Sequence, residues 1–122
     1  MIELMQQLTI AFKAITANSH HAINRDTTVT YPYLTFDIDT EAINRNQEGF
    51  YIDVDIFDNS TSYVALFTLE EAVKDHLRDL RLMTDELYVR FIFNGSTKVP
   101  TGDETILRRN LRFYATIDWR KK

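Results

Sequence analysis

The stretch Phe50-Tyr51-Ile52-Asp53-Val54-Asp55-Ile56-Phe57 alternates strictly. Phe50, Ile52, Val54 and Ile56 share one side, and Tyr51, Asp53, Asp55 and Phe57 share the other. Side chains of a strand point to opposite faces at every step, so this is a β-strand with one buried face. Upstream, Leu34, Phe36 and Ile38 alternate in the same way with Tyr33, Thr35, Asp37 and Asp39. The link Thr40 to Gly49 is polar and ends in glycine, which predicts an antiparallel hairpin with a long tip. Downstream, Leu87, Val89, Phe91 and Phe93 form a third alternating run. Leu111, Phe113, Ala115, Ile117 and Trp119 form a fourth. Between them Asn94 to Asn110, with Gly95, Pro100 and Gly102, is expected to be a long exposed connection.

Two segments carry a helical period instead. Met1, Met5, Leu8, Phe12 and Ile15 recur every three or four residues and predict a first helix that fades near Asn18. Leu66, Leu69, Val73, Leu77 and Leu80 predict a second, from Thr61 or Ser62 to Leu82, with Asp58-Asn59-Ser60 as capping residues. Glu70, Glu71, Lys74, Asp75, Arg78, Asp79 and Arg81 mark its wet side, where Glu70 and Lys74 attract at i,i+4 and Glu71 and Asp75 repel. The polar run Asn18 to Thr30 is expected to be a loop. The order α-β-β-α-β-β then predicts an α+β two-layer sandwich, with two helices on one face of a mainly antiparallel four-stranded sheet. A chain of 122 residues with no repeat, linker or composition shift reads as a single domain, 1–122.

Composition narrows the function. There is no cysteine, which excludes disulfides, thiolate metal sites and thiol nucleophiles. No apolar run approaches the ~20 residues of a membrane span, and no basic-then-apolar leader opens the chain, so a cytoplasmic product is expected. Fourteen basic against eighteen acidic residues give a net charge of −4, which disfavours non-specific wrapping of nucleic acid. No glycine-rich phosphate loop or nucleophile elbow is present. His20 and His21 are adjacent in a polar segment and so diverge. His76 sits at the flank of the second helix's apolar stripe.

Two clusters remain. Asp37, Asp39, Asp53 and Asp55 lie on one face of the hairpin, where a carboxylate cluster can bind a divalent ion or share a proton. Without a calcium-loop spacing or a companion base, the alternative is a solvated face softened by Arg90 and Arg112. Arg108, Arg109 and Arg112, with the tail Arg120-Lys121-Lys122, are the only concentration of positive charge. The aromatics Tyr33, Tyr51, Phe57, Tyr88 and Tyr114, with Ile92, on a nominally wet sheet face suggest a partner surface, the alternative for each taken singly being ordinary cross-strand aromatic packing.

The chain also resembles a known family. The resemblance is carried by Tyr31-Pro32-Tyr33-Leu34-Thr35-Phe36, then Gly49 to Asn59 leading into Ser60-Thr61-Ser62, then the acidic helix Leu69 to Leu77. Asp103-Glu104 and Arg108-Arg109-Asn110-Leu111-Arg112-Phe113 complete it before a strand ending in Trp119. In order and length this is similar to the tail-completion proteins of long-tailed phages and prophages, also called tail terminators or tail-to-head joining proteins. Phe57 stands where many of them carry tryptophan. The resemblance implies a virion structural protein, made in the host cytoplasm, that forms a hexameric ring at the head–tail junction. Its partners would be further copies of itself, the major tail tube protein and a head connector or neck protein. DNA would pass through its lumen, and no catalysis, cofactor or membrane is implied. Arg108, Arg109, Arg112, Asp103 and Glu104 are then candidate assembly contacts, and Asp37, Asp39, Asp53 and Asp55 candidate lumen-facing residues. Charge reversal at Arg108 and Arg109 is expected to leave the monomer folded. The alternatives are a different neck protein, or a divalent-metal-dependent hydrolase using the four aspartates.

Overall fold

A computed structural model describes residues 2–16, 18–21, 23–24, 29–44, 47–83 and 87–119. Helix α1, Ile2–Ile15, buries Leu4, Leu8, Ala11 and Phe12. Its stripe is centred on Leu4-Leu8-Phe12, with Met5 and Ile15 half-buried at its margin. Strand β1, Ser19–His21, follows. β2, Tyr33–Asn44, and β3, Gln47–Asn59, form the expected hairpin. Helix α2 runs Val64–Asp79, followed by β4, Arg81–Met83. β5, Leu87–Lys98, and β6, Ile106–Trp119, form the second hairpin.

The α+β class and the two helices are as expected, but the sheet is larger. Among the described residues it has six strands, in the order β1-β2-β3-β6-β5-β4. The expectation of four strands misses β1 and β4, three residues each, which sit at the two edges. β1 runs parallel to β2, through Ser19↔Leu34 and His21↔Phe36, so the sheet is mixed. Part of the expected loop Asn18 to Thr30 is therefore strand; its residues 22 and 25–28 lie outside the described residues, as do Arg120, Lys121 and Lys122.

The connections are also shorter than expected. β2 and β3 continue through most of Thr40 to Gly49, with an irregularity between Ala42 and Asn44. The expected connection Asn94 to Asn110 shrinks to Val99–Thr105, because both strands extend into it. The extension needs a β-bulge. Phe93 pairs with Phe113, yet Gly95 pairs with Arg112, so Asn94 is the extra residue. Gly95 has φ +129°, in a region that glycine alone enters without strain. The second helix stops at Asp79 rather than Leu82, because Leu80 is already extended and Leu82 joins β4.

One core lies between the helices and one sheet face. Phe36, Phe50, Ile52, Val54, Ile56, Leu111 and Phe113 meet Leu4, Leu8 and Phe12 of α1 and Leu66, Leu69, Val73 and Leu77 of α2. The Phe12 ring stacks on Phe36 at 4.4 Å. The other sheet face has no helix over it among the described residues.

Candidate assembly surface

Register builds the open face row by row. In an antiparallel ladder, directly opposed residues share a face. The first row is Tyr33, Phe57 and Arg108. The Tyr33 and Phe57 rings stack at 4.7 Å and 18°, and the Arg108 guanidinium lies 5.3 Å over Phe57. Tyr31 leans on Tyr33 at 5.5 Å. Burial pushes the Tyr33 phenol above the ordinary value of 10.0; the neighbouring Tyr31 adds to this and Arg108 opposes it. The second row is Thr35, Asp55, Asn110 and Thr97. Asp55 Oδ1 accepts from Arg108 Nε and from Asn110 Nδ2, both at 3.1 Å.

The third row is Asp37, Asp53, Arg112 and Gly95. Arg112 donates to Thr97 Oγ1 and Asn110 Oδ1, each at 3.3 Å. An alanine Cβ at position 95 would lie 3.4 Å from its terminal nitrogen. The fourth row is Asp39, Tyr51, Tyr114 and Ile92, with the two tyrosine rings edge to face at 5.0 Å. Tyr51 and Ile92 are exposed.

The four aspartates thus share a face but not a site. Asp37 opposes Asp53, Asp39 opposes Tyr51, and Asp55 is held by Arg108 and Asn110. Among the described residues, no three His, Cys, Asp or Glu side chains come together around a point where an ion could sit. His21 lies 3.5 Å from Asp37, at the sheet edge.

Of the five nominated assembly residues, Asp103, Glu104 and Arg108 line one groove beside the β5–β6 turn, while Arg112 lies farther along the sheet and Arg109 faces away. Arg108 and Arg112 are on the open face. Asp103 Oδ1 accepts from the Thr105 amide at 2.9 Å and its hydroxyl at 2.8 Å, which staples the β5–β6 turn and lowers the Asp103 pKa. Glu104 is exposed at the tip of that turn.

Arg109 follows Arg108 along β6 and so points to the helix side. Its Nε donates to Glu70 Oε1, its terminal nitrogen to Ser96 Oγ at 3.0 Å, and Ser96 Oγ to Glu70 Oε2 at 3.2 Å. The guanidinium also lies 5.0 Å over Phe67. The side chains of Arg109 and Glu70 are only 17% and 7% exposed. An Arg109→Glu substitution would bury two facing carboxylates, so the expectation that charge reversal spares the fold does not hold for this residue.

Sequence reasoning placed Glu70 on the wet side of α2, opposite Lys74. Lys74 instead pairs with Glu71 at 3.1 Å. The signal was present: Glu70 stands four residues after Leu66 and three before Val73, within the apolar stripe.

No family model matches the sequence, and no curated protein matches it. Among solved structures, 26 chains match. One belongs to a structure described as "Virion of native gene transfer agent (GTA) particle". The match covers 93% of this chain and 90% of that one, with a TM-score of 0.72 and 13% sequence identity. The likeness is one of fold.

Proposed function

We propose that this chain is a structural protein of a phage-like virion, located at the head–tail junction. There it caps the tail tube, ends tail polymerisation and joins the tail to a head connector. The observation that carries the reading is the fold likeness, along nearly the full length of both chains, to a component of a gene transfer agent particle. The order of motifs from Tyr31 to Trp119 supports the tail-completion role within that setting. The working form is a closed ring of identical subunits, six by the family resemblance. In this reading the chain is not an enzyme and uses no cofactor.

The open sheet face supplies the physics of such a ring. Asp37, Asp39, Asp53 and Asp55 face the lumen and repeat with each subunit; Arg108 neutralises Asp55, and the other three make the wall negative where β2 and β3 line it. A negative wall repels the DNA backbone, and the genome slides past without sticking. Tyr51, Tyr114 and Ile92 lie beside these acids and contact the tail tube or the connector.

The test removes the coding sequence from the genome that produces the particle and examines the products by electron microscopy and mass spectrometry. Overlong tails lacking heads support the terminator. Tails of normal length beside tailless heads favour a different neck protein. Normal particles, or wild-type particles that do not contain the chain, refute the virion reading.

A further inference from the structure

A polar cavity of about 340 Å³ opens on the uncovered sheet face, over β2, β3 and β6. Thr35, Asp37, Asp53, Asp55, Arg108 and Asn110 line it. Three carboxylates against one guanidinium leave it net negative. Its donors are committed: Arg108 Nε, the Arg108 terminal nitrogen and Asn110 Nδ2 each reach Asp55 Oδ1 at 3.1 Å. Arg112 stands opposite Asp53 in register, but it donates to Thr97 and Asn110.

Acceptors are left over. Asp53 has no hydrogen bond or ion pair among the described residues, and Asp55 Oδ2 takes none of the bonds made to Oδ1. Asp37 Oδ1 accepts the Ile38 amide at 2.9 Å and lies 3.5 Å from His21, which leaves Oδ2. The deciding residue is Thr35. It is only 8% exposed, and its neighbours Leu34 and Phe36 point into the core, so its own side chain points outward to the cavity. Its hydroxyl has no partner among the described residues. A polar group so far withdrawn from water is costly to leave unpaired, and here the open direction is the cavity.

Such a site fits a cation rich in donors. A chelated metal does not fit, because among the described residues no three acids converge on a point. An ammonium demands less, since its three N–H bonds fan out to separate acceptors. A second ammonium has a place one row along the sheet. There Asp39 and Asp53 line a neighbouring cavity with the exposed ring of Tyr51, and an aromatic ring attracts a cation. Asp39 is also without a partner among the described residues. Alternate residues of a strand are about 6.8 Å apart, a step that a butyl or pentyl chain spans.

We propose that the two cavities form one binding site for an aliphatic diamine or polyamine. One ammonium donates to Thr35 Oγ1, Asp53 and Asp55 Oδ2. The other lies between Asp39, Asp53 and Tyr51. Asp53 stands between the cavities and serves both ends of the ligand. The site is complete within one chain, so it is independent of the ring and of the virion reading, and its test needs neither.

The test is calorimetric titration of the isolated chain with putrescine at low salt. Putrescine should saturate at one molecule per chain, and MgCl₂ at equal ionic strength should not displace it. Butylamine, which offers one ammonium, should bind more weakly by about tenfold or more, and Asp53→Asn should weaken putrescine by the same factor. Thr35→Val keeps the shape of the side chain and removes only the unpaired hydroxyl. It should leave the Tm unchanged or raised while weakening putrescine by roughly threefold or more. Asp75→Asn, at an acid paired with Arg78 on α2, should stay within about twofold of wild type. Asp39→Asn, on an exposed position, replaces Asp53→Asn if that variant melts early. The proposal is overturned by the absence of saturable heat, by equal weakening in Asp53→Asn and Asp75→Asn, or by Thr35→Val binding like wild type. Displacement by Mg²⁺ at matched ionic strength overturns it too, since the face would then attract any cation alike.

Discussion

Removing either member of the Glu70–Arg109 pair should be among the most damaging single changes in the molecule. Both side chains are withdrawn from water, at 7% and 17% exposure, and Ser96 hydrogen-bonds to both. Breaking a buried ion pair from one side leaves an uncompensated charge, at a cost of about 3–5 kcal/mol. Total stability of a domain is about 5–15 kcal/mol, so Glu70→Leu or Arg109→Met removes a large share of it. At about 2 cal/mol/K of unfolding entropy per residue, each kcal/mol lowers the Tm of a chain this long by roughly 4 °C, which predicts falls of roughly 12–20 °C. The double variant Glu70→Leu/Arg109→Met exchanges the pair for apolar groups of similar length. It should recover to within about 1–2 kcal/mol of wild type, the residue being the stranded Ser96 hydroxyl. The assay is urea unfolding followed by circular dichroism, with the four proteins treated as a double-mutant cycle. Single losses below about 1 kcal/mol, with an additive double, would mean that the pair behaves as an exposed salt bridge and would refute the reasoning.

Three further outcomes follow from the geometry. Gly95→Ala places a Cβ at φ +129° and against Arg112, and should destabilise by about 1–3 kcal/mol in the same unfolding assay; a neutral substitution would show that the bulge relaxes freely. Because the folded-state pKa of Tyr33 is raised, its contribution to stability is complete below pH 10 and lost as the pH rises through that pKa. Absorbance titration near 295 nm should show one of the six tyrosines ionising late, absent in Tyr33→Phe and later still in Arg108→Ala. Millimolar Mg²⁺ or Ca²⁺ should move the Tm by less than about 1 °C; a saturable rise abolished by Asp53→Asn would revive the hydrolase reading.

The long strands and both helices were legible because each announces itself locally. Four consecutive alternations, as in Phe50 to Phe57, or four apolar residues at helical spacing, as in Leu66 to Leu77, determine a face without knowledge of the rest of the chain. β1 and β4 were not legible for the complementary reason. Three residues such as Ser19-His20-His21 are too few to show a period, and their strand geometry comes from the edge they pair with. The open face was half legible. The alternation placed Asp37, Asp53, Tyr51 and Phe57 on it, but only the register with β6 shows that Arg108 and Asn110 hold Asp55 and that Asp37 stands opposite Asp53.

The misplacement of Arg109 has the same root as the misjudged connection. Read as loop, Arg108-Arg109 is a single basic step, and both residues seem to share one surface. Once β6 begins at Ile106, neighbours must point to opposite faces, so one arginine joins the open face and the other enters the helix layer. What lets the second strand reach this far is the bulge in β5. With regular alternation after Phe93, Ser96 would fall on the open face. The extra residue at Asn94 shifts the parity, sets Gly95 against Arg112 on the open side, and turns Ser96 inward to bridge Glu70 and Arg109. That bridge fixes the start of α2 over β5 and β6, and with it the exposed pair Val64 and Phe67. A glycine that reads as the start of a loop therefore sets the strand parity that ties α2 to β5 and β6.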